Sequence, residues 1–546
     1  MSVARVPTLL RTVWYLRPEQ IAGQLKRALL GREVKPRAFR AEPPRAAFEA
    51  PRVPWLAPPP HARAASASRI ELINRALESA SAAAIDWDTT AHGPLFAYHL
   101  HQFDWARDAR LAPAERLAAL ESWIARHPRG AGWDSGPISL RTFAWSKLLT
   151  TPAALPANAD TARIRASLAA QLETLAAKLE THLSGNHLLW NLLALVFAGG
   201  SQQGAAAERW LVFAPRLAAE LREQVLDSGL HYERSPMYHG LLLENVLDLV
   251  NAHMSASRIP GELAAQLRET AARMLGALAV VTHPDGEIAL LGDSAFGIAQ
   301  PPARLAAYAA TLGVVPAAPK EPGVLRDAGI ARLDDAGLCC IVTASRPWPE
   351  HQPGHAHCDA LSFELSVRGE RVVTDTGVTE YAPGAKRDLS RATRAHAVVQ
   401  IDGREQAECW AAHRIGGRPD VAIVRAEPGR FIEAVCAGWA TPEVLHRRRF
   451  TLEAGALAIH DGFDAPAPLA RAYLPLAPGL EPALAGHVAT VTLRRGGALR
   501  IALPEALAWR IERAPYFPEF GREQERAVLV GEGANVVRAD WRFEPG

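Results

Sequence analysis

The chain has 546 residues, 49% of them hydrophobic, and a formal net charge of +2. That length predicts two large domains rather than one small core. The near-zero charge decides nothing about a polyanionic partner, and nucleic acid is not expected. Five cysteines include the adjacent pair Cys339-Cys340 and no CxxC, which argues against a disulfide framework. No apolar run reaches transmembrane length, so no membrane span is predicted.

Residues 1–66 open with a candidate amphipathic helix over 18–30. A Pro/Arg-rich stretch over 32–60 follows, which predicts an extended arm laid on the first domain. The first thirty residues carry no clean apolar core and no small-residue cleavage site. They are therefore not a secretory signal, and a cytoplasmic location is expected, with the periplasm as the alternative. Across 67–320 apolar residues recur at helical spacing over 70–81, 113–127, 139–149, 162–183, 187–198, 208–226, 237–253 and 261–281. Short loops between such helices predict antiparallel pairs, as a bundle, a solenoid or a closed toroid.

Near residue 320 the period changes from 3.6 to 2. The segments 330–333 and 338–342 flank Asp334-Asp335-Ala336-Gly337, 361–367 and 371–375 flank Arg368-Gly369-Glu370, and 488–493 and 499–503 flank Gly496-Gly497. Each is a hairpin signal. Helices first and strands afterwards predict an all-α domain over 67–320 and an antiparallel β domain over 321–546.

In the helical part, Ser184-Gly185-Asn186-His187 precedes an apolar run, and Ser184 or Asn186 is a plausible N-cap. An amide and an imidazole at a helix N-terminus favour an anion. The stretch His231-Tyr232-Glu233-Arg234-Ser235-Pro236-Met237-Tyr238-His239 is dense in chemistry. Ser235-Pro236 reads as N-cap and first helical residue, which places Tyr238 and His239 in a first turn. A tyrosine held there beside histidines can serve as a general acid or base. Tyr232 reads more simply as an aromatic plug between helices. Tyr98, within Tyr98-His99-Leu100-His101, offers an aromatic face and a hydroxyl of the kind that suits a sugar.

In the β part the densest stretch is Gly354-His355-Ala356-His357-Cys358-Asp359, which runs into an alternating strand. Two histidines two apart share a side of an extended chain. Asp375 and His396 lie on neighbouring segments, so His357, Asp375 and His396 make a ligand set suited to Zn²⁺ or, with water, to a harder ion. Tyr381 falls in the loop between them.

These motifs, in this order and approximate spacing, resemble the heparinase II/III-like polysaccharide lyases and the related alginate and oligo-alginate lyases. The resemblance rests on Asn186-His187, the 231–239 stretch, Gly354 to Phe363, Asp375 and Arg394-Ala395-His396. Cys358 stands where that family often has a small residue. The resemblance implies an N-terminal (α/α) toroid, a C-terminal antiparallel β-sandwich and a site in the cleft between them. It implies Asn186, Tyr238 and His355 as catalytic, with Asn186 on the uronate carboxylate. It further implies one structural divalent ion, Zn or Ca, on His357, Asp375 and His396, with no organic cofactor. His187, Tyr232, His239, Tyr98 and Tyr381 are the candidate substrate contacts. The expected partner is an acidic polysaccharide or oligosaccharide cleaved by β-elimination, with His355 or Tyr238 taking the C5 proton. The alternatives are a glycoside hydrolase on the same toroid, with Glu233 and Asp104 as its best carboxylates, and a non-catalytic glycan-binding protein.

Overall fold

The computed structural model describes residues 6–30, 48–127, 129–335 and 337–546. Two helices, Val6–Trp14 and Pro18–Leu30, open the chain; only the second is signalled by sequence. Residues 32–47 of the expected arm lie outside the described residues. From Phe48 the arm lies on the helical domain: Trp55 donates to Thr150 Oγ1 (2.9 Å) and Val53 N–H to Asn251 Oδ1 (3.1 Å).

The helix expected over 70–81 is instead part of a small antiparallel sheet, with strands Ala62–Ser66, Arg69–Leu72 and Arg75–Glu78. Ile70, Leu72 and Leu77 are its buried side chains. The turn is made by Ile73 and Asn74, both at positive φ (47° and 60°). A two-residue turn of that kind supports a hairpin, and it defeats the helical spacing of the same leucines and isoleucines.

From Gly93 the helical pattern holds. The apolar run over 187–198 becomes the helix Gly185–Ser201, buried on nearly every side, as an all-round hydrophobic helix must be. The run over 208–226 divides into Ala205–Leu211 and Ala214–Gln224, since Pro215 is tolerated only in a first turn. Ser235 caps the helix Pro236–Ala256 as expected, its hydroxyl accepting from Tyr238 N–H at 3.3 Å. Together these helices form the (α/α) toroid.

The C-terminal domain is an antiparallel β-sandwich. Among the described residues, five strands in sequence order (Val324–Leu325, Ile330–Asp335, Leu338–Thr343, Ser362–Val367 and Glu370–Val373) form one sheet. A ten-stranded sheet covers it, centred on the long strands Ala456–Pro475 and Gln524–Pro545. Phe363 faces Phe450 and Phe543 across the sandwich, with ring centroids 5.6 and 5.9 Å apart. Its neighbour Glu364 points the other way, as strand alternation requires. There it accepts from His283 Nε2 (3.0 Å), Arg371 (3.1 Å) and Leu290 N–H (3.3 Å). The strand that follows the His-x-His motif therefore has one face in the sandwich core and one on the chain that ends the toroid.

A second buried ion cluster fastens the two sheets. Asp461 accepts from Arg448 Nε (2.6 Å), His446 Nε2 (2.6 Å) and Trp541 Nε1 (2.9 Å). Arg448 also donates to the carbonyls of Leu361 (2.9 Å) and Ala397 (2.8 Å). Burial opposes the Asp461 charge, but Arg448 and His446 outweigh it and hold the carboxyl well below its ordinary 3.8. A depressed carboxyl stabilises the fold above the unfolded value and loses that contribution as pH falls through the folded one. Asp461→Asn strands Arg448 and is expected to cost about 3–5 kcal/mol at neutral pH. Melting curves of both proteins should converge as pH drops below about 4. A gap that does not narrow in acid would show that the Asp461 charge is not what stabilises this region.

Candidate active site

Between the toroid and the sandwich, three segments converge on one imidazole. His355 lies just before the strand Ser362–Val367, and Asn186 is in the first turn of Gly185–Ser201. Tyr238 is in the first turn of Pro236–Ala256. The Tyr238 and His355 rings lie 4.1 Å apart at 30°. Asn186 Nδ2 stands 3.5 Å from His355 Nε2. Tyr381 joins them, its hydroxyl 3.0 Å from that of Tyr238. Four of the residues singled out in the sequence are thus brought together from four separate segments.

The other ring nitrogen of His355 points at a residue that sequence inspection passes over. Nδ1 lies 2.8 Å from Asp293 Oδ2. Asp293 is fully buried and also meets His357 Nε2 (2.8 Å) and both terminal nitrogens of Arg387, one of them at 2.9 Å. Burial works against the carboxylate, yet Arg387 and the two histidine hydrogen bonds prevail and keep it well below the usual range. Asp293 sits in a tight loop that is locked on both sides. Its N–H donates to His355 O (3.0 Å), and its carbonyl accepts from Ser235 Oγ (2.7 Å). Gly292, at φ +56°, makes this approach possible, because a Cβ there would meet His355 O at 2.8 Å.

A carboxylate on Nδ1 fixes the tautomer: Nδ1 carries the proton and Nε2 keeps a lone pair facing Asn186. Glu233 Oε2 is 3.7 Å from that same Nε2 and has no hydrogen-bond partner. Its other oxygen accepts from Asn186 N–H at 3.0 Å, which satisfies a donor at the helix start. Burial raises the Glu233 carboxyl. Burial likewise raises the Tyr238 phenol, which is therefore protonated at neutral pH. Arg234 and Arg346 line the cleft beside His355, stacked at 5.5 and 4.5 Å from the Trp348 ring. His413 edges in as well, 5.3 Å from Tyr381.

The remaining expected contacts are placed differently. His187 sits beside Asn186 with Nδ1 3.4 Å from Glu180; burial opposes its charge, but Glu180 holds the ring above its ordinary pKa. Tyr98 donates to Asp134 at 2.7 Å. Tyr232 is buried against His231 and His351, as a plug between helices would be. His239 corrects the expectation of a substrate contact. It is fully buried, its Nδ1 accepts from His231 N–H (3.2 Å) and its Nε2 meets Met274 O (2.9 Å), so neither ring nitrogen is left for a ligand.

Behind His355, the side chains of His357, Asp375 and His396 each offer one ligand atom, all within 4.8 Å of one another and all buried. Among the described residues, His357 Nδ1 and His396 Nε2 have no hydrogen-bond partner, a costly state for buried polar atoms unless something else engages them. Burial drives His357 down to about 4, so its ring is in the neutral form that a metal requires. Donor types, spacing and the two orphaned nitrogens fit a single divalent ion.

Sequence inspection missed Asp293, Arg387 and His413. For Asp293 one local signal existed, a lone acid at Gly292-Asp293-Ser294 directly after the apolar run Ile288 to Leu291.

Comparison with known proteins bears on the family and the fold. Residues 115–316 match the heparinase II/III N-terminus and residues 317–540 the heparinase II/III-like C-terminal domain. A heparin-sulfate lyase of Pedobacter heparinus is 28% identical over 259 residues, which take in 41% of this chain and only 38% of that protein. The fold superposes on a crystal structure of heparinase III with a TM-score of 0.65 at 16% identity, covering 84% of this chain and 79% of the other. It superposes on the heparan sulfate lyase HepC of Pedobacter heparinus with a TM-score of 0.56 at 19% identity, covering 86% and 79%. The chain belongs to the heparinase II/III-like family.

Proposed function

We propose that this protein is a polysaccharide lyase that cleaves a uronic-acid-containing polymer by β-elimination. The observation that carries the reading is His355, with Nδ1 on a buried carboxylate and Nε2 beside Asn186, against a protonated Tyr238. The C5 proton of a uronate is weakly acidic until its carboxylate is neutralised. Asn186 hydrogen-bonds that carboxylate and stabilises the enolate-like transition state. His355 Nε2 takes the proton. Tyr238 gives its proton to the leaving O4, and Tyr381, 3.0 Å away, orients the hydroxyl. Arg234 and Arg346 suit an acidic chain. The names of the relatives make heparan sulfate the first polymer to try, within a wider class of uronate polysaccharides.

Hydrolysis fits less well. It needs two carboxylates across the bond. Asp104 is paired with Arg107 (3.0 Å), and Asp293 is fully engaged, which leaves Glu233 alone. Incubation with heparan sulfate, chondroitin, hyaluronan and alginate separates the readings. A lyase gives products with the ultraviolet absorbance of a 4,5-double bond. Reducing ends without that absorbance would mean hydrolysis, and neither signal would mean binding alone.

His357, Asp375 and His396 are proposed to hold one divalent ion, Zn²⁺ or Ca²⁺, which would tie three segments together behind His355. His355→Ala is expected to lower turnover about 10²–10⁴-fold with metal content retained, and to melt somewhat earlier because Asp293 loses one of its donors. His357→Ala should lose the metal, melt earlier, and lose activity as a result. Elemental analysis with melting curves decides it, and a metal retained by His357→Ala would sink the assignment.

Asp293 is proposed as a positioning residue. Asp293→Asn no longer fixes the Nδ1–H tautomer, and because it leaves buried Arg387 unmatched it also lowers the melting temperature. Turnover is expected to fall about 10³–10⁴-fold, with KM changed little. A loss confined to KM would contradict that role.

A further inference from the structure

Cys358 and Cys409 are unbonded thiols with their sulfurs 3.7 Å apart. They belong to segments 51 positions apart in sequence. Cys358 directly follows His357, and its N–H donates to Arg391 O at 3.0 Å. Cys409 opens the short strand Cys409–Trp410, which pairs with Arg414–Ile415. The loop of that hairpin carries His413, whose ring stands 6.3 Å from His355. The hairpin is anchored on its other flank too: Glu408 accepts from Thr8 Oγ1 (2.7 Å) and Arg11 Nε (2.8 Å), and Trp410 donates to Thr12 Oγ1 (3.0 Å). Arg391 clasps both segments from behind, donating to the carbonyls of Ala356, Ala411 and Arg414. Cys358 is buried, whereas Cys409 is partly exposed. The other thiols lack this arrangement: Cys339 and Cys340 are consecutive on one strand and so point to opposite faces, and Cys436 lies in the sandwich core.

We propose that Cys358 and Cys409 form a reversible thiol–disulfide modification site that locks the His413 hairpin to the His-x-His segment. Sulfurs in van der Waals contact, packed with the apolar side chains of Ala356, Ala407 and Ile415, need a short side-chain motion to reach bonding distance. The oxidant is a small peroxide. The sulfur of half-buried Cys409, as thiolate, attacks one peroxide oxygen, the O–O bond breaks, and the departing hydroxide leaves as water with the thiol proton. That step gives a sulfenic acid on Cys409. The Cys358 sulfur then attacks the Cys409 sulfur, its proton leaves with the displaced hydroxyl as a second water, and the S–S bond forms. The dithiol loses two electrons and the peroxide gains them. An external dithiol reverses the step by exchange.

The test uses the full-length protein with hydrogen peroxide. After oxidation, the free thiols are alkylated under denaturing conditions and the protein is peptide-mapped. The expected result is a Cys358–Cys409 cross-linked peptide, two fewer alkylatable thiols than in the reduced protein, and recovery of both with dithiothreitol. Because the bond closes a long loop, the oxidised protein should melt about 3–5 °C higher. Cys409→Ser should abolish the cross-link and the shift, while Cys436→Ser should leave both. An unchanged thiol count, sulfinic acid in place of the cross-link, or disulfides between molecules would overturn the proposal, and the wild-type peptide map decides it whether or not a variant folds.

Discussion

The carboxylate of Asp293 is the constraint on which the cleft depends. It is a negative charge fully buried from solvent, an arrangement that costs several kcal/mol unless compensated. Arg387 meets it with a two-pronged contact, and two imidazoles complete its shell. Because the anion tolerates no vacancy, each of its donors is held in one orientation. Those donors come from the β domain, whereas the loop that carries Asp293 is fastened to the toroid through Ser235. Docking of the two domains and assembly of the site are one event.

The same anion divides the labour of the two histidines. His355 gives Asp293 its Nδ1, so its Nε2 looks into the cleft. His357 gives Nε2, so its Nδ1 looks backwards toward Asp375 and His396. Two imidazoles two residues apart share a side of the chain, yet opposite nitrogens hold them. Their free lone pairs therefore serve different places, one the cleft and one the buried cluster.

The regular parts of this architecture were legible in the sequence. Apolar spacing announced the change from toroid to sandwich, and Ser235-Pro236 announced the helix that presents Tyr238. Tyr238 stands out in a stretch dense in polar groups, His355 in the His-x-His motif and Tyr381 in the loop between Asp375 and His396, while the roles of Asn186, Tyr238 and His355 rest on the family resemblance. Failures came where tertiary contacts overrule local pattern. Ile70, Leu72 and Leu77 suit a helix by spacing, but a positive-φ turn at Ile73-Asn74 folds them into a hairpin. His239 is expected beside Tyr238 as a substrate contact, but the helix turns it inward onto Met274. The pairing of Asp293 with His355 and Arg387 spans 62 and 94 positions, and no local periodicity encodes such a contact.

Two buried carboxyl groups flank His355, and their environments pull in opposite directions. Asp293 is held charged by a guanidinium; Glu233, with a single backbone donor and an unpartnered oxygen, is pushed toward its neutral form. The difference bears on the proposed binding of a uronate. Two anions beside His355 would repel the incoming carboxylate and favour a protonated imidazole, which is useless as a base. One anion placed behind the ring, with its charge matched by Arg387, fixes the tautomer without adding net charge to the cleft. Glu233 in front, its charge disfavoured by burial, still supports the backbone of Asn186. The pairing of opposite pulls is a familiar way to separate the roles of neighbouring acids, and here it leaves Arg234 and Arg346 as the charges that an acidic chain meets first.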